Sequence, residues 1–257
     1  MIKSGVCSIT FREKTVDEVI DLAVEAGLDG IEWGGDVHVP PSDLPNAELV
    51  GRLTREAGLE VAGYGSYCFA FDKPGDPLAD FDPAIDAAAI LGAPVLRIWA
   101  GSFAIDKTPE YFQVVAEQSR KLADAAEKRE VKVAYEFHDN TFTETLDGAL
   151  KLLRVADHPN LYTYWQPPNG SGLNQRLEQI AALKERLLNV HVFHWDAAPE
   201  PPYDRRPLAE GSEIWKACLA AADESGTNRY ALLEYVRDDD PGQFLQDAVS
   251  LRSWLSK

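Results

Sequence analysis

Apolar residues recur along this chain in two alternating rhythms. Stretches such as Val16-Asp17-Glu18-Val19-Ile20-Asp21-Leu22-Ala23 place them three or four positions apart, which predicts amphipathic helices with one buried face. Short runs dense in Val, Ile, Leu and aromatics, such as Val95-Leu96-Arg97-Ile98-Trp99, predict strands. The clearest unit opens at Thr15, where Thr15-Val16-Asp17-Glu18 forms a capping box. It closes at Gly27, a residue suited to the left-handed turn after a helix. The stretch "EAGLDGIEW" (Glu25 to Trp33) is echoed by "EAGLEVAGY" (Glu56 to Tyr64) and, more loosely, by "ILGAPVLRIW" (Ile90 to Trp99).

The second half keeps this order. A helix beginning at Thr108-Pro109-Glu110 leads to a strand over Lys132 to Phe137. A helix over about 144–155 precedes a strand at Leu161 to Gln166, and one over about 174–188 precedes Asn189 to Phe193. A helix over about 212–223 precedes Tyr230 to Glu234, and the last helix ends near Leu255. Counted from the strand at Ile2 to Ile9, this makes eight strands and eight helices in strict alternation. That order favours a parallel sheet, and eight units within 257 residues fit a closed (β/α)8 TIM barrel. With no linker or low-complexity tract, residues 1–257 read as one domain.

Alternation along each strand separates inward from outward side chains. Val133, Tyr135 and Phe137 are expected to face the helices, which leaves Ala134, Glu136 and His138 on the inner side. By the same rule Glu234 joins Leu232, His191 joins Phe193, and Gln166 joins Tyr162 and Tyr164. These four polar side chains fall near the C-terminal ends of four successive strands, where a barrel assembles its site. Oxygen donors and one imidazole converging there suit a divalent metal. A buried carboxylate without a partner costs several kcal/mol, so Glu136, Glu234 and Glu32 call for a cation, a proton or an arginine. The competing reading pairs the glutamates with Arg97 or Arg206 as rim structure only.

Composition narrows the partners. A formal charge of -17 leaves no basic excess for a nucleic-acid backbone, though it does not exclude a small basic pocket. No apolar run approaches the length of a membrane span. The start of the chain lacks a secretory h-region, and Cys7, Cys68 and Cys218 are scattered and odd in number. A cytoplasmic protein with reduced thiols is the expectation.

The phrases "DGIEW" (Asp29 to Trp33), "YEFHDNTFTET" (Tyr135 to Thr145), "NVHVFHWD" (Asn189 to Asp196), "RPLAEGSEIW" (Arg206 to Trp215) and "LLEY" (Leu232 to Tyr235), in this order and spacing, resemble the sugar-phosphate isomerase/epimerase superfamily of xylose isomerase-like barrels. The resemblance covers essentially the whole chain. It implies a divalent ion, Mn²⁺ or Mg²⁺ foremost and Co²⁺ or Zn²⁺ in some members, held by Glu136, Gln166, His191 and Glu234. The superfamily usually has Asp where this chain has Gln166, so one negative charge is missing.

The resemblance further implies proton transfer beside a carbonyl, through an enediolate held by the metal, on a ketose or related keto-sugar. Glu136 and Glu234 would be the acid/base pair. Glu32, Trp99, His138, His194 and Arg206 are the candidates for substrate contact. Of Trp33, Trp99, Trp165 and Trp195, all near strand ends, one or two are expected to meet the sugar. Arg205-Arg206 with Gly211-Ser212 offers an anion site. A homo-oligomer fits the superfamily. The alternatives are a metal-dependent lyase or dehydratase using the same intermediate, and a non-catalytic sugar-binding barrel. A three-zinc apurinic endonuclease is disfavoured by the acidic surface.

Overall fold

The computed structural model describes residues 1–70, 80–101, 108–197, 203–223 and 228–255. Each strand-helix unit is punctuated by the signals in its sequence. Thr15 caps α1 (Val16–Glu25) with the reciprocal bonds of a capping box, and Asp43, Thr108 and Thr145 cap α2 (Leu44–Glu56), α4 (Pro109–Glu127) and α5 (Leu146–Ala156). The three echoed "AG" or "LG" turns place Gly27, Gly58 and Gly92 at φ of 64°, 79° and 84°, a conformation that costs other residues about 1 kcal/mol. The remaining helices are α3 (Asp82–Leu91), α6 (Leu173–Leu183), α7 (Ser212–Asp223) and α8 (Pro241–Leu255).

The strands are β1 (Ile2–Cys7), β2 (Gly30–Gly34), β3 (Glu60–Phe69), β4 (Val95–Trp99), β5 (Lys132–Tyr135), β6 (Leu161–Trp165), β7 (Leu187–Val192), β8 (Trp195–Ala197), β9 (Tyr203–Arg205) and β10 (Arg229–Leu233). Eight of them close a barrel in the order β1-β10-β7-β6-β5-β4-β3-β2, every neighbour parallel. Closure removes the sheet edges that would otherwise need protection. β8 and β9 form a separate antiparallel pair between β7 and α7. The predicted TIM barrel is therefore the observed fold.

The core lies in two shells. Ile31, Leu96, Val133, Tyr135, Val190 and Leu233 face outward and pack under the helices. Burial of each large apolar side chain there contributes about 1.5–3 kcal/mol. Cys7, Ala62, Val95, Ala134, Tyr164, Leu188 and Leu232 fill the interior. The alternation read from β5 and β10 holds, but β7 departs from it. Thr163 pairs with Leu187 while Trp165 pairs with Val190, so β7 carries an extra residue. Leu188 is interior, Val190 is exterior, and the bulge resets the phase so that His191 again points inward.

Boundaries differ from expectation by a few residues. The helix expected over 174–188 stops at Leu183, and β7 begins at Leu187. Leu187 and Leu188 continue a helical spacing in sequence, yet pairing with β6 claims them. Strands β5, β6 and β10 end one residue before Glu136, Gln166 and Glu234, so these side chains sit just above the last rung. No helix among the described residues is long and apolar enough to cross a membrane.

Candidate active site

Four donors meet at the C-terminal end of the barrel. The Nδ1 atom of His191 lies 3.1 Å from Gln166 Oε1, 3.3 Å from Glu234 Oε2 and 3.6 Å from Glu136 Oε1. One imidazole nitrogen carries at most one proton, so it cannot satisfy three acceptors at once. Bonds of about 2.1 Å to a single ion, at octahedral or tetrahedral angles, set neighbouring ligand atoms about 3.0–3.4 Å apart. The observed spacings fall close to that range, and the three charged or titratable members lie within 4.8 Å of one another. The donor set therefore fits a divalent ion with an oxygen preference. Two carboxylates match its charge, and the Gln166 amide adds an oxygen without adding charge.

Backbone anchoring places each donor. The Glu136 N–H donates to Ile98 O (2.9 Å), and the Glu136 carbonyl accepts from Thr143 Oγ1 (2.6 Å). The Glu234 N–H donates to Val192 O (3.1 Å). His191 is fully buried and meets the Tyr164 ring edge-on at 5.4 Å. Its Nε2 faces Glu32 Oε1 at 3.6 Å, beyond hydrogen-bonding distance, and Nε2 and Glu32 Oε2 have no hydrogen-bond partner among the described residues.

Arg97 answers the question of what neutralises the inner carboxylates. Its Nε donates to Glu32 Oε1 (2.9 Å) and its Nη1 to Glu136 Oε2, which also accepts from Trp99 Nε1 (2.6 Å). The arginine pairing weighed as purely structural is thus present for Glu136 and coexists with the ligand geometry, because the other Glu136 oxygen remains turned to His191. A side chain at position 65 would collide with both Arg97 and Glu32, which explains a glycine in the middle of β3. Burial alone would raise the Glu136 carboxyl, but Arg97 and His191 outweigh it and hold the group well below the usual carboxylate range. Glu32 is lowered likewise against its burial, by Arg97 and His191. For the metal-free His191, burial disfavours the cation, yet Cys7, Glu234 and Glu136 around it raise the imidazole well above its ordinary value.

Above these groups opens a cavity of about 310 Å³. Glu136, Gln166, Glu234, Trp99 and His138 line it. His138 donates from Nδ1 to Asp139 O (2.8 Å) and meets Trp99 edge-on. Glu32 and His191 lie beneath the lining. His194 and Arg206, expected to contact substrate, are not among the lining residues. His194 packs where a side chain at Gly211 would stand, and Arg206 is paired with Asp196, Asp204 and Glu210. Arg205 is paired with Asp239, and neither arginine of the expected anion site lines the cavity. Of the four tryptophans, Trp99 and Trp195 line the cavity. Trp33 donates to Thr54 and Trp165 to Gln179, both in the helical shell.

Sequence reading missed Arg12, Tyr67, Tyr203 and Tyr235, which also line the cavity. Arg12 and Tyr203 lie in connections, outside the barrel strands, where alternation has no force. Arg97, weighed from sequence only as a rim partner of the glutamates, shares the interior face of Val95 inside an apolar strand, where an arginine demands carboxylate partners.

Comparison with known proteins places this architecture. The chain is 27% identical over 174 residues to a 3-dehydroshikimate dehydratase of Bacillus anthracis; the match takes in 62% of this chain and spans 60% of that relative. The crystal structure of a probable 3-DHS dehydratase from Bacillus anthracis superposes with a TM-score of 0.77 at 19% identity, covering 98% of this chain and 99% of that one. A D-allulose 3-epimerase from Methylomonas sp. superposes at 0.72 with 16% identity, covering 98% and 97%. At such identities the solved structures establish the fold. The family model of the xylose isomerase-like TIM barrel matches residues 20–255, and the chain belongs to that family.

Proposed function

We propose that this chain is a divalent-metal-dependent enzyme that removes a proton from the carbon beside a carbonyl of a small sugar or keto-sugar and returns it as an isomerase. The observation that carries this reading is the convergence of Gln166, Glu234 and Glu136 on one nitrogen of His191 at 3.1–3.6 Å. Glu136, Gln166, His191 and Glu234 would hold the ion, Mn²⁺ or Mg²⁺ by its oxygen-rich set. Bound there, the ion supplies Lewis-acid stabilisation of the charge that develops on the carbonyl oxygen.

The chain's own groups then divide the remaining work. Glu234 lines the cavity with one oxygen turned to His191, and it is the group we assign to move the proton. Glu136 is tied by Arg97 and Trp99 through one oxygen and faces His191 with the other; it serves chiefly as an anchor. Trp99, Trp195 and Phe193 cover apolar faces of the substrate and limit water. His138, on the wall near Trp99, is placed to bind a substrate hydroxyl. One base can carry a proton between neighbouring carbons along one face, whereas inversion at a single carbon needs a donor on each face. The asymmetry therefore favours isomerisation over epimerisation.

The same asymmetry favours a second reading, loss of water after the same proton removal, because elimination also needs only one base on carbon. The likeness to dehydratases supports it. Proton NMR in D₂O with Mn²⁺ and a panel of ketoses and keto-sugars separates the two. An isomerase incorporates deuterium at carbon and loses no atoms of the sugar skeleton or its hydroxyls, whereas a dehydratase yields a product that has lost one water. Sugar binding unaffected by EDTA, with no exchange in Mn²⁺, would instead indicate a binding barrel. The three free cysteines support a cytoplasmic setting.

A further inference from the structure

The cavity contains a guanidinium that neither the ligand cluster nor the proton transfer uses. Arg12 follows the short 3-10 turn after β1 and lines the cavity beside Tyr67 and Tyr235. Its Nε donates to Asp36 Oδ2 (2.7 Å), Nη1 to Ile9 O (3.2 Å) and Tyr235 OH (3.0 Å), and Nη2 to Tyr67 OH (2.5 Å). A guanidinium has five N–H groups, so these four bonds leave one on Nη2.

The hydroxyl protons matter as much. Burial alone would raise the Asp36 carboxyl, but Arg12, bonded to it through Nε, and Tyr67 nearby hold it below the ordinary carboxylate range. The Tyr235 oxygen accepts from Arg12, so its own proton points elsewhere. Asp36 is not among the lining residues; it steadies Arg12 from behind. What this wall offers the cavity is donors around a positive charge.

Tyr235 is held in place at a cost. Its φ of 50° lies in the left-handed region, a conformation that bulky residues rarely adopt. Its N–H donates to Thr10 Oγ1 (3.1 Å), and its ring lies under the guanidinium of Arg12 at 5.6 Å. A surface of donors and positive charge suits a group that only accepts; sugar hydroxyls, which must also donate, gain less from it.

We propose that Arg12 and Tyr235 form a subsite for an acidic oxygen group, a carboxylate or a phosphate, at the end of the substrate away from the reacting carbonyl. This rests on the reading of the cavity as a carbonyl-substrate site. This wall is then a specificity device distinct from the ligand cluster, with Arg12 as its cation and Asp36 behind it.

The test is calorimetric binding of D-fructose, D-fructose 6-phosphate and 5-keto-D-gluconate to the full chain, with and without Mn²⁺. Charge-assisted bonds of this kind predict that one acidic compound binds about 10- to 100-fold tighter than fructose, and which one it is distinguishes phosphate from carboxylate. The preference should vanish in Arg12→Gln, persist in part in Arg12→Lys, and shrink in Tyr235→Phe. Unchanged Mn²⁺ affinity in these variants would show that the rim is intact. Equal binding of all three compounds, or a preference that survives Arg12→Gln, would overturn the proposal. The two claims fail separately: acid preference that depends on Arg12 without Mn²⁺ binding upholds the subsite and removes the metal reading, and Mn²⁺ binding without acid preference does the reverse.

Discussion

Glu136 and Glu234 flank the same imidazole at 3.6 and 3.3 Å, yet they stand in different surroundings. On the β4–β5 side, Arg97 and Trp99 grip one oxygen of Glu136, and Arg97 passes the charge on to Glu32. On the β10 side, Glu234 contacts His191 and the cavity, and no arginine among the described residues pairs with it. Two identical side chains at equivalent strand ends thus acquire different chemistry from their neighbours. One is built into a buried ionic network, and the other is the group we propose to move the proton. Identity and strand position alone would have made them interchangeable.

The largest expected effect comes from removing the carboxylate proposed to move the proton. Glu234→Gln should lower deuterium exchange into substrate about 100- to 10,000-fold, measured by NMR, while the folded state survives. If Glu136→Gln were the more damaging change to exchange and left stability untouched, the assignment of roles would be reversed. Next comes the network. Arg97→Leu leaves Glu32 and Glu136 buried without their partner, and breaking such a pair costs about 3–5 kcal/mol. Denaturant unfolding of the metal-free protein should show that loss for Arg97→Leu and a much smaller one for Glu234→Gln. Equal losses would erase the contrast.

A third prediction uses protons. The metal-free His191 has a raised pKa, so its contribution to stability is complete below the unfolded value of about 6.5 and fades as pH rises through the folded value. Glu136, depressed in the folded state, contributes above the unfolded carboxylate value and loses that contribution as pH falls. A metal must displace the imidazole proton, so Mn²⁺ affinity should weaken about tenfold for each pH unit lowered below the folded His191 value. Calorimetry in buffers of different ionisation enthalpy should show about one proton released. The smallest effect is expected at Gln166: Gln166→Asp restores a charge and should tighten Mn²⁺ about tenfold, roughly 1.4 kcal/mol.

Much of this site is legible in the chain because strands impose a two-residue period. Ala134 and Leu232 identify the inner faces of β5 and β10, and that places Glu136 and Glu234 at the rim. Gln166 follows from Tyr164 in the same way. His191 was reached by the same rule, although the phase it relies on is set by a bulge in β7 that no propensity announces. Loops obey no such period. Arg12 and Tyr203 were therefore invisible, and Arg206 and His194 read as substrate contacts although their side chains lie outside the cavity lining. The tryptophans divide for a related reason: Trp33 and Trp165 find hydroxyl or amide partners in the helical shell, while Trp99 and Trp195 face the cavity, and strand-end position does not distinguish the pairs. Arg97 shows the remaining limit. Its partners lie on β2 and just past β5, two strands away on one side and adjacent on the other, and the pairing of β2 through β5 that brings them together is not written in any one segment.

The account depends on one ion being held by four side chains, and titration calorimetry with Mn²⁺ tests that directly. It predicts one Mn²⁺ per chain in the wild type and weakening of at least about 100-fold in His191→Ala, whose lost imidazole is the point of convergence. Failure of the wild type to bind Mn²⁺, or binding that His191→Ala leaves unchanged, would contradict it.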